Sequence, residues 1–293
     1  MFKTPVRLNS TAKLVQAQLA ANLEEYFQKT AFNLAKPQHE AELRRIMDLV
    51  YLRKRPLVAV DIEAYERRPK IITELGFAIY DPENQWLSPV PHIRTTHIIS
   101  HENKRFLNSM FVPNHKYRFN GGTSYQMYQK MSSLYLEDTF KYYFQERGAV
   151  IVGHNLAGDI KWLQGHGVGN PADTPQVDTQ KLFHLSRKRG ATLRGILQTV
   201  EIPHANLHNA ANDAYYTLLA AMSYCDPQVR QNFGLDTYID NSQRTDKELK
   251  EAKKKKKFCE KAYVSVHDPP SATYTYPRSE GGVPEAWVPT PRF

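Results

Sequence analysis

The stretch Val58-Ala59-Val60-Asp61-Ile62-Glu63 decides how the rest of this sequence is interpreted. Its apolar beginning, which follows Leu57 and the helix-stopping Pro56, predicts a buried strand. Alternate residues of a strand face the same side, so Asp61 and Glu63 would project together from its end. Neighbouring carboxylates repel each other, and a hard divalent cation with oxygen ligands would offset that cost. For this pair alone, a strand end whose acids simply face water is the ordinary alternative.

A further acidic residue follows a later predicted strand, Ala149 to Val152. The stretch Gly153 to Leu163 opens a helix and places Asp159 near its first turn. A carboxylate there gains from the helix dipole and points to the carboxyl ends of the strands, where the sites of α/β proteins collect. The alternative is that Asp159 or Asn155 only caps this helix.

The third element is the stretch His208 to Tyr215. His208 precedes Asp213 by five positions, which is too far for both to share one helical face. With His208 in the entry loop and Asp213 on the helix, both side chains could still reach one site, and the small Ala210 and Ala214 would let the helix approach the sheet. The alternative is a structural histidine near a loop.

In this order, the three elements resemble the Exo I, Exo II and Exo III motifs of the DEDDh-type 3′→5′ exonuclease family, which belongs to the ribonuclease H-like superfamily. The stretches Ile72 to Gly76 and Val177 to Leu182 add further matches, and the resemblance covers roughly residues 56 to 225. It is closest to the fungal group of ribonuclease H-like exonucleases. The resemblance implies a 3′→5′ exonuclease that hydrolyses the phosphodiester bonds of single-stranded RNA or DNA.

The resemblance also implies the roles of the site residues. Two Mg²⁺ or Mn²⁺ ions would be held, one by Asp61, Glu63 and Asp213 and the second by Asp61 and Asp159. His208 would be the general base, which suits a side chain that titrates near neutral pH. All five motif positions are filled, and Asn155 is a further candidate for substrate contact. The alternative function is a catalytically inactive ribonuclease H-like module that binds nucleic acid or protein.

The expected fold class is α/β, a ribonuclease H-like mixed five-stranded sheet flanked by helices, with an N-terminal helical extension. The expected strands cover residues 57–60, 71–80, 92–100, 149–152 and 176–179. We expect the helical extension at residues 1–54, the exonuclease domain at residues 55–240 and a charged, proline-rich tail at residues 241–293. The domain would contain an insertion at about residues 101–131, and Glu66, just beyond the first strand, would face solvent.

The insertion carries basic residues interleaved with aromatic ones, namely Lys104, Arg105, Lys116 and Arg118 beside Phe106, Phe111, Tyr117 and Phe119. Such a mixture could follow a phosphate backbone and stack on bases. Aromatic residues that pack on the domain or on a dimer partner explain the pattern equally well. The run Lys253 to Lys257 is either a nuclear-import or nucleic-acid patch or a solvated part of the tail.

The chain has 39 basic and 30 acidic residues, with a formal charge of +9. This excess favours a polyanionic partner, with nucleic acid first and an anionic membrane surface second. Two distant cysteines argue against a disulfide framework, and no apolar run approaches the roughly 20 residues that span a bilayer. We expect a cytoplasmic or nuclear protein. Because the first 23 residues are basic and lack acidic residues, a mitochondrial location stays open. The sequence does not indicate the oligomeric state.

Overall fold

A computed structural model of the chain describes residues 10–83, 85–88, 90–165, 173–242 and 271–273. The first nine residues, the lysine run and most of the predicted tail lie outside the described residues. Among the residues that are described, every helix is too short or too polar to cross a lipid bilayer.

After two helices, the described residues form four strands in succession, and strands then alternate with helices. The helices are α1 (Ser10–Lys29), α2 (His39–Val50), α3 (Gln129–Phe140), α4 (Ala157–Gly165), α5 (Thr179–His184), α6 (Leu193–Thr199), α7 (Ala210–Tyr224) and α8 (Pro227–Asn232). The strands are β1 (Leu57–Tyr65), β2 (Arg68–Tyr80), β3 (Ile93–Ser100), β4 (Ser124–Met127), β5 (Val150–Gly153), β6 (Gln176–Asp178) and β7 (Ser271–Thr273). A π-helical segment, Lys141–Glu146, continues α3.

The strands form one mixed sheet in the order β6-β5-β1-β2-β3-β4-β7. Strands β1, β2 and β3 make the antiparallel meander that the sequence predicts, and β5 lies parallel to β1 on its other side. Helices cover both faces, which is the ribonuclease H-like arrangement. The predicted fold class is therefore confirmed.

The predicted number of five strands is wrong, because β4 and β7 extend the sheet to seven strands. Strand β4 comes from the predicted insertion, and β7 comes from the predicted tail. Both are short and lie parallel to their neighbours, β4 beside β3 and β7 beside β4. A short strand at the edge of a sheet is defined by the hydrogen bonds of its neighbour rather than by a hydrophobic pattern of its own, so the sequence carries no local signal for it.

Side-chain alternation along β1 separates two hydrophobic clusters, one on each face of the sheet. Leu57 and Ala59 belong to the cluster that contains α1, α2 and α7. Val58 and Val60 belong to the cluster on the other face, which contains α3. Asp61 continues the row of Leu57 and Ala59, so it points to the face that α7 covers.

The N-terminal helices belong to this core rather than standing apart from it. Leu23 of α1 and Leu43 of α2 are buried in the same cluster as α7. A buried ion pair adds a polar contact, since Arg230 donates to Asp236 over 2.8 Å and Tyr26 of α1 donates to the same carboxylate over 2.5 Å. Whether residues 1–54 form a separate unit stays a prediction.

Helix α7 crosses β2 at a glycine. A Cβ atom placed on Gly76 would lie 2.1 Å from the backbone carbon and oxygen of Ala210, the first residue of α7. No side chain other than hydrogen fits at this crossing, because backbone atoms of a packed helix cannot move aside as the end of a flexible side chain can. Gly76 therefore sets how closely the beginning of α7 approaches the sheet.

We expect Gly76→Ala to lower the free energy of unfolding by about 1–3 kcal/mol or more, because α7 must be displaced to admit the methyl group. Gly158→Ala is the matched control, since a Cβ atom there meets nothing within 4 Å and the residue lies in helix α4. That substitution should leave stability unchanged or raise it slightly, because alanine is the better helix former. Urea unfolding followed by circular dichroism measures both, and equal stabilities of the two variants would contradict the tight crossing.

Candidate active site

Four acidic side chains from three elements meet beside the beginning of α7. Asp61 and Glu63 lie near the end of β1, and both are partly accessible to solvent. Asp213 lies in the first turn of α7 and is only 8% exposed. Asp159 lies in the first turn of α4, directly after β5, the parallel neighbour of β1. The parallel pairing of β1 and β5 brings the ends of both strands to the same edge of the sheet.

Side-chain atoms of Glu63, His208 and Asp213 lie within 4.8 Å of one another, which is close enough for all three to contact one ion. The loop before α7 makes this possible. His208 adopts a left-handed backbone conformation, with φ of 70°, and its N–H donates to Oδ2 of Asp213 over 3.0 Å. The strained backbone turns the histidine back towards the carboxylate of the following helix.

Asp159 is tied to β1 through the backbone. Its carboxylate accepts a hydrogen bond from the N–H of Ile62, the residue between Asp61 and Glu63. Asp61 in turn lies within the electrostatic influence of Asp213, Asp159 and Glu63, in that order of strength. The structure thus brings all four acidic candidates into one electrostatic cluster.

The cluster holds its protons more tightly than isolated carboxylic acids do. Removal from water raises the pKa values of Asp61 and Glu63 well above their usual range, and the neighbouring carboxylates raise them further. Burial also raises the pKa of Asp159 to about 7, although the hydrogen bond from Ile62 opposes this shift. For Asp213, burial raises the pKa to about 7 despite the hydrogen bond from His208.

His208 is shifted in the opposite direction. Its half-buried position lowers its pKa, and the nearby cation Arg194 and the ring of His115 lower it further. The imidazole is therefore neutral near pH 7, which is the form that accepts a proton. Arg194, in α6, also lowers the pKa of Asp213. No motif in the sequence pointed to this arginine.

The donor set fits a divalent metal ion. Four carboxylates in one place offer the oxygen ligands that Mg²⁺ and Mn²⁺ take. Oδ1 of Asp213 is buried and has no hydrogen-bond partner among the described residues, although a buried acceptor without a partner is costly. A cation at this atom would satisfy it and would offset the repulsion within the cluster.

Asn155 stands apart from the cluster. Its side chain is exposed, and its backbone adopts a left-handed conformation with φ of 60° at the entry to α4. The backbone N–H groups of Asn155 and Leu156 donate to the carboxylate of Asp178 over 3.1 and 3.2 Å. Asp178 thus holds the entry loop of α4, while substrate contact by Asn155 stays a prediction.

A buried polar network under α7 was not identified as part of the site from the sequence. Glu74 of β2 lies opposite Glu63 and accepts a hydrogen bond from His97 at 3.0 Å. The ring of His97 also contacts Ser124 at 2.8 Å, and the amide of Asn209, the N-cap of α7, lies 3.3 Å from it. This network joins β2, β3 and β4 to the residue that follows His208. Only tertiary contacts give these side chains their positions.

Residues 56–224 match a family described as the DNA polymerase III subunit epsilon-like, C-terminal domain of DEDDh type. Because the match covers more than half of the chain, the protein belongs to this family, whose domain is that of DEDDh nucleases. The recognition made from the three motifs is confirmed.

Three fungal proteins are similar to this chain. "Good for full DBP5 activity protein 2" of Saccharomyces cerevisiae is 32% identical over 81% of this chain and 48% of its own length. An uncharacterized protein of the same yeast is 33% identical over 66% of this chain and 46% of its own length. An uncharacterized nucleolar protein of Schizosaccharomyces pombe is 28% identical over 60% of this chain and 71% of its own length. The chain thus spans about half the length of the two budding-yeast relatives.

The raised pKa of Asp213 predicts how stability depends on pH without metal. Between the usual value of 3.8 and about 7, the folded protein binds more protons at this carboxyl group than the unfolded chain does. Its contribution to the free energy of unfolding therefore falls as pH rises through this window and levels off above about pH 7. The lowered pKa of His208 acts with the opposite sign, so the whole protein does not report on Asp213 alone.

Comparison with Asp213→Asn isolates the carboxylate, since the amide oxygen keeps an acceptor for the N–H of His208. Urea unfolding in chelator at pH 5.5, 6.5 and 7.5 should show that the variant gains stability relative to the native chain as pH rises. Mg²⁺ should stabilise the native chain at pH 7.5 and have little effect on the variant. A pH-independent difference between the two proteins would contradict the raised pKa.

Proposed function

We propose that this protein is a metal-dependent 3′→5′ exonuclease that hydrolyses phosphodiester bonds of single-stranded RNA or DNA. The observation that carries the proposal is the meeting of Asp61, Glu63, Asp159 and Asp213 beside a histidine that is neutral near pH 7. Direction from the 3′ end is inferred from membership of the DEDDh family.

Within this proposal, Asp61, Glu63 and Asp213 would hold one Mg²⁺ or Mn²⁺ ion, and Asp61 and Asp159 would hold a second. When bound, paired ions activate water and stabilise charge on the attacking and leaving oxygens. The four carboxylates position these ions, and their ionised form is required for that task. Burial and mutual repulsion raise their pKa values, so binding of the cations must displace protons.

His208 supplies the proton acceptor. Its lowered pKa leaves the imidazole unprotonated at neutral pH, and its ring lies beside Glu63 and Asp213. The backbone N–H of His208 donates to the carboxylate of Asp213, so this hydrogen bond keeps the proposed base beside a proposed metal ligand. Arg194 provides positive charge on the same side, which suits the approach of a phosphodiester.

A catalytically inactive module that binds nucleic acid or protein is the second candidate. It is favoured by the similarity to "Good for full DBP5 activity protein 2", whose name describes support of another protein's activity. The presence of all five motif residues favours the enzyme. The similarity to a nucleolar protein of fission yeast supports a nuclear location for this chain. Single-stranded RNA is present in the nucleus.

The test uses purified protein with a 5′-labelled single-stranded oligonucleotide, in Mg²⁺, in Mn²⁺ and in chelator. We expect a ladder that shortens from the 3′ end only with metal. Asp61→Asn and Asp213→Asn should abolish the ladder, because each removes a ligand oxygen charge. Asp48→Asn, on the exposed side of α2, makes the same chemical change away from the site and should leave the rate unchanged.

His208→Ala should slow cleavage by about 10²- to 10⁴-fold, which is the usual contribution of a general base. Metal binding, followed by calorimetry, should persist in this variant and be lost in Asp213→Asn. If the native protein and Asp213→Asn give the same weak degradation, the activity comes from a contaminant, and the binding module becomes the better account.

A further inference from the structure

The turn between β1 and β2 anchors part of the predicted insertion. The two oxygens of Glu66 accept backbone hydrogen bonds from Ser109, Met110 and Phe111 at 3.2, 2.8 and 3.0 Å. Glu66 faces solvent, as the sequence predicts, but its carboxylate also binds the insertion, which the sequence did not indicate. These bonds lower its pKa, so the carboxylate is ionised and holds three consecutive peptide groups in place.

Two further contacts fix the same segment beside the acidic cluster. The side chain of Asn108 donates to the carbonyl oxygen of Ala64 and accepts from the N–H of Glu66, each at 2.9 Å. The ring of Phe106 packs on Tyr65, with 5.1 Å between the ring centres. Ala64 directly follows Glu63, so this part of the insertion lies along the end of β1, roughly 10 Å of strand from the metal-binding candidates.

The anchored segment presents large apolar side chains to water. Phe111 is 75% exposed and Met110 is 57% exposed, whereas Phe119 of the same insertion is 5% exposed. A mobile loop could bury such side chains at little cost, but the bonds to Glu66 hold the backbone that carries these two. Met110 and Phe111 therefore offer neighbouring apolar side chains in a fixed position at the surface, where a ligand can contact them.

Positive charge adjoins the apolar pair. Arg67 and Arg68 follow Glu66 directly, and both are exposed. No ion pair joins either of them to another residue in the described part of the chain. Lys116 of the insertion, in contrast, is 2% exposed and donates to the carbonyl oxygen of Phe106. Arg67 and Arg68 of the β1–β2 turn are therefore available to a ligand at this place, whereas Lys116 is not.

We propose that Arg67, Arg68, Met110 and Phe111 form a hairpin platform that binds the single strand leading into the catalytic site. Bases stack on Phe111 and Met110, and the cations contact the phosphates between them. The proposal rests on the function proposed above, since it names where the substrate strand lies before its end meets Asp61, Glu63 and Asp213.

The combination of exposed apolar and positive groups is the reason for choosing a single strand as the occupant. A single strand exposes base faces together with one negative charge per nucleotide, and its binding sites combine aromatic side chains with cations. In a duplex the bases are stacked on one another, so Phe111 would find no free face. The net charge of +9 for the whole chain also favours a polyanion over a basic or neutral protein surface.

Binding is tested first without catalysis, by fluorescence anisotropy of a labelled single-stranded 12-mer in chelator. We expect Phe111→Ala to weaken binding by about 5- to 150-fold, which corresponds to the roughly 1–3 kcal/mol for loss of one stacked base. Phe111→Trp should restore it, because indole also stacks. The matched control is Leu87→Ala, since Leu87 is equally exposed at 75% and lies beyond the opposite end of β2.

The charged part is tested by the salt dependence of the same binding. Arg67→Ala combined with Arg68→Ala should reduce the slope of log affinity against log salt by about 1.4, or 0.7 for each phosphate contact of a single strand. Lys54→Ala combined with Arg55→Ala makes the same charge change before the other end of β1 and should leave the slope unchanged. Phe111→Ala should weaken binding without changing the slope.

Cleavage separates failure of the platform from failure of the proposed activity. With Mn²⁺, platform variants should cleave the 12-mer slowly but hydrolyse the p-nitrophenyl ester of thymidine 5′-monophosphate at the native rate, because this small substrate does not reach the platform. If the native protein catalysed neither reaction, the exonuclease activity would be contradicted. The anisotropy measurements would still test binding to the platform. Native binding and cleavage by Phe111→Ala and by the double arginine variant would overturn the platform. If light scattering then showed a dimer that Phe111→Ala dissociates, the apolar pair would be assigned to a protein contact.

Discussion

The close crossing of α7 over β2 at Gly76 is the constraint on which the site depends. With backbone atoms of Ala210 only 2.1 Å from where a Cβ would be, the beginning of α7 lies directly against the sheet. The first turn of this helix carries Asp213, and the loop before it carries His208. A helix displaced by the width of one methyl group would move both residues away from Glu63. Packing at one glycine thus governs the geometry of a site that contains no glycine.

The same closeness creates an electrostatic cost that the fold only partly offsets. Asp213 gains from the positive end of the α7 dipole and from the N–H of His208, and Asp159 gains from the N–H of Ile62. Their pKa values nevertheless rise to about 7, so these contributions are smaller than the cost of burial. Either bound protons or bound cations must offset the rest of the cost of burying these carboxylates. Four carboxylates kept together at such a cost are what the proposed cation site requires and not what stability alone would favour.

Much of the fold and of the cluster could be predicted because the signals are local. Apolar runs marked β1 and β5, and carboxylates at their ends marked the edge where ligands bind. The roles of Glu74, Arg194 and Glu66 could not be predicted, because each depends on contacts with distant segments. Glu66, for example, meets residues 43 to 45 positions away. Strands β4 and β7 were missed for the same reason, since an edge strand is defined by its neighbour.

Charge is segregated around this site in a way that suits a polyanionic substrate. The acidic cluster would repel phosphates unless cations occupied it, so attraction must come from groups outside it. Arg67 and Arg68 lie at the turn of the hairpin whose strand carries Asp61 and Glu63, so the proposed platform and the proposed catalytic residues would share one hairpin. Phe111 and Met110 offer apolar surfaces and no side-chain hydrogen-bonding groups, so within the proposed platform they would distinguish a free base from a paired one but would not read its identity. Neither side chain can donate to or accept from a sugar hydroxyl, so discrimination between RNA and DNA has to come from polar groups nearer the carboxylates.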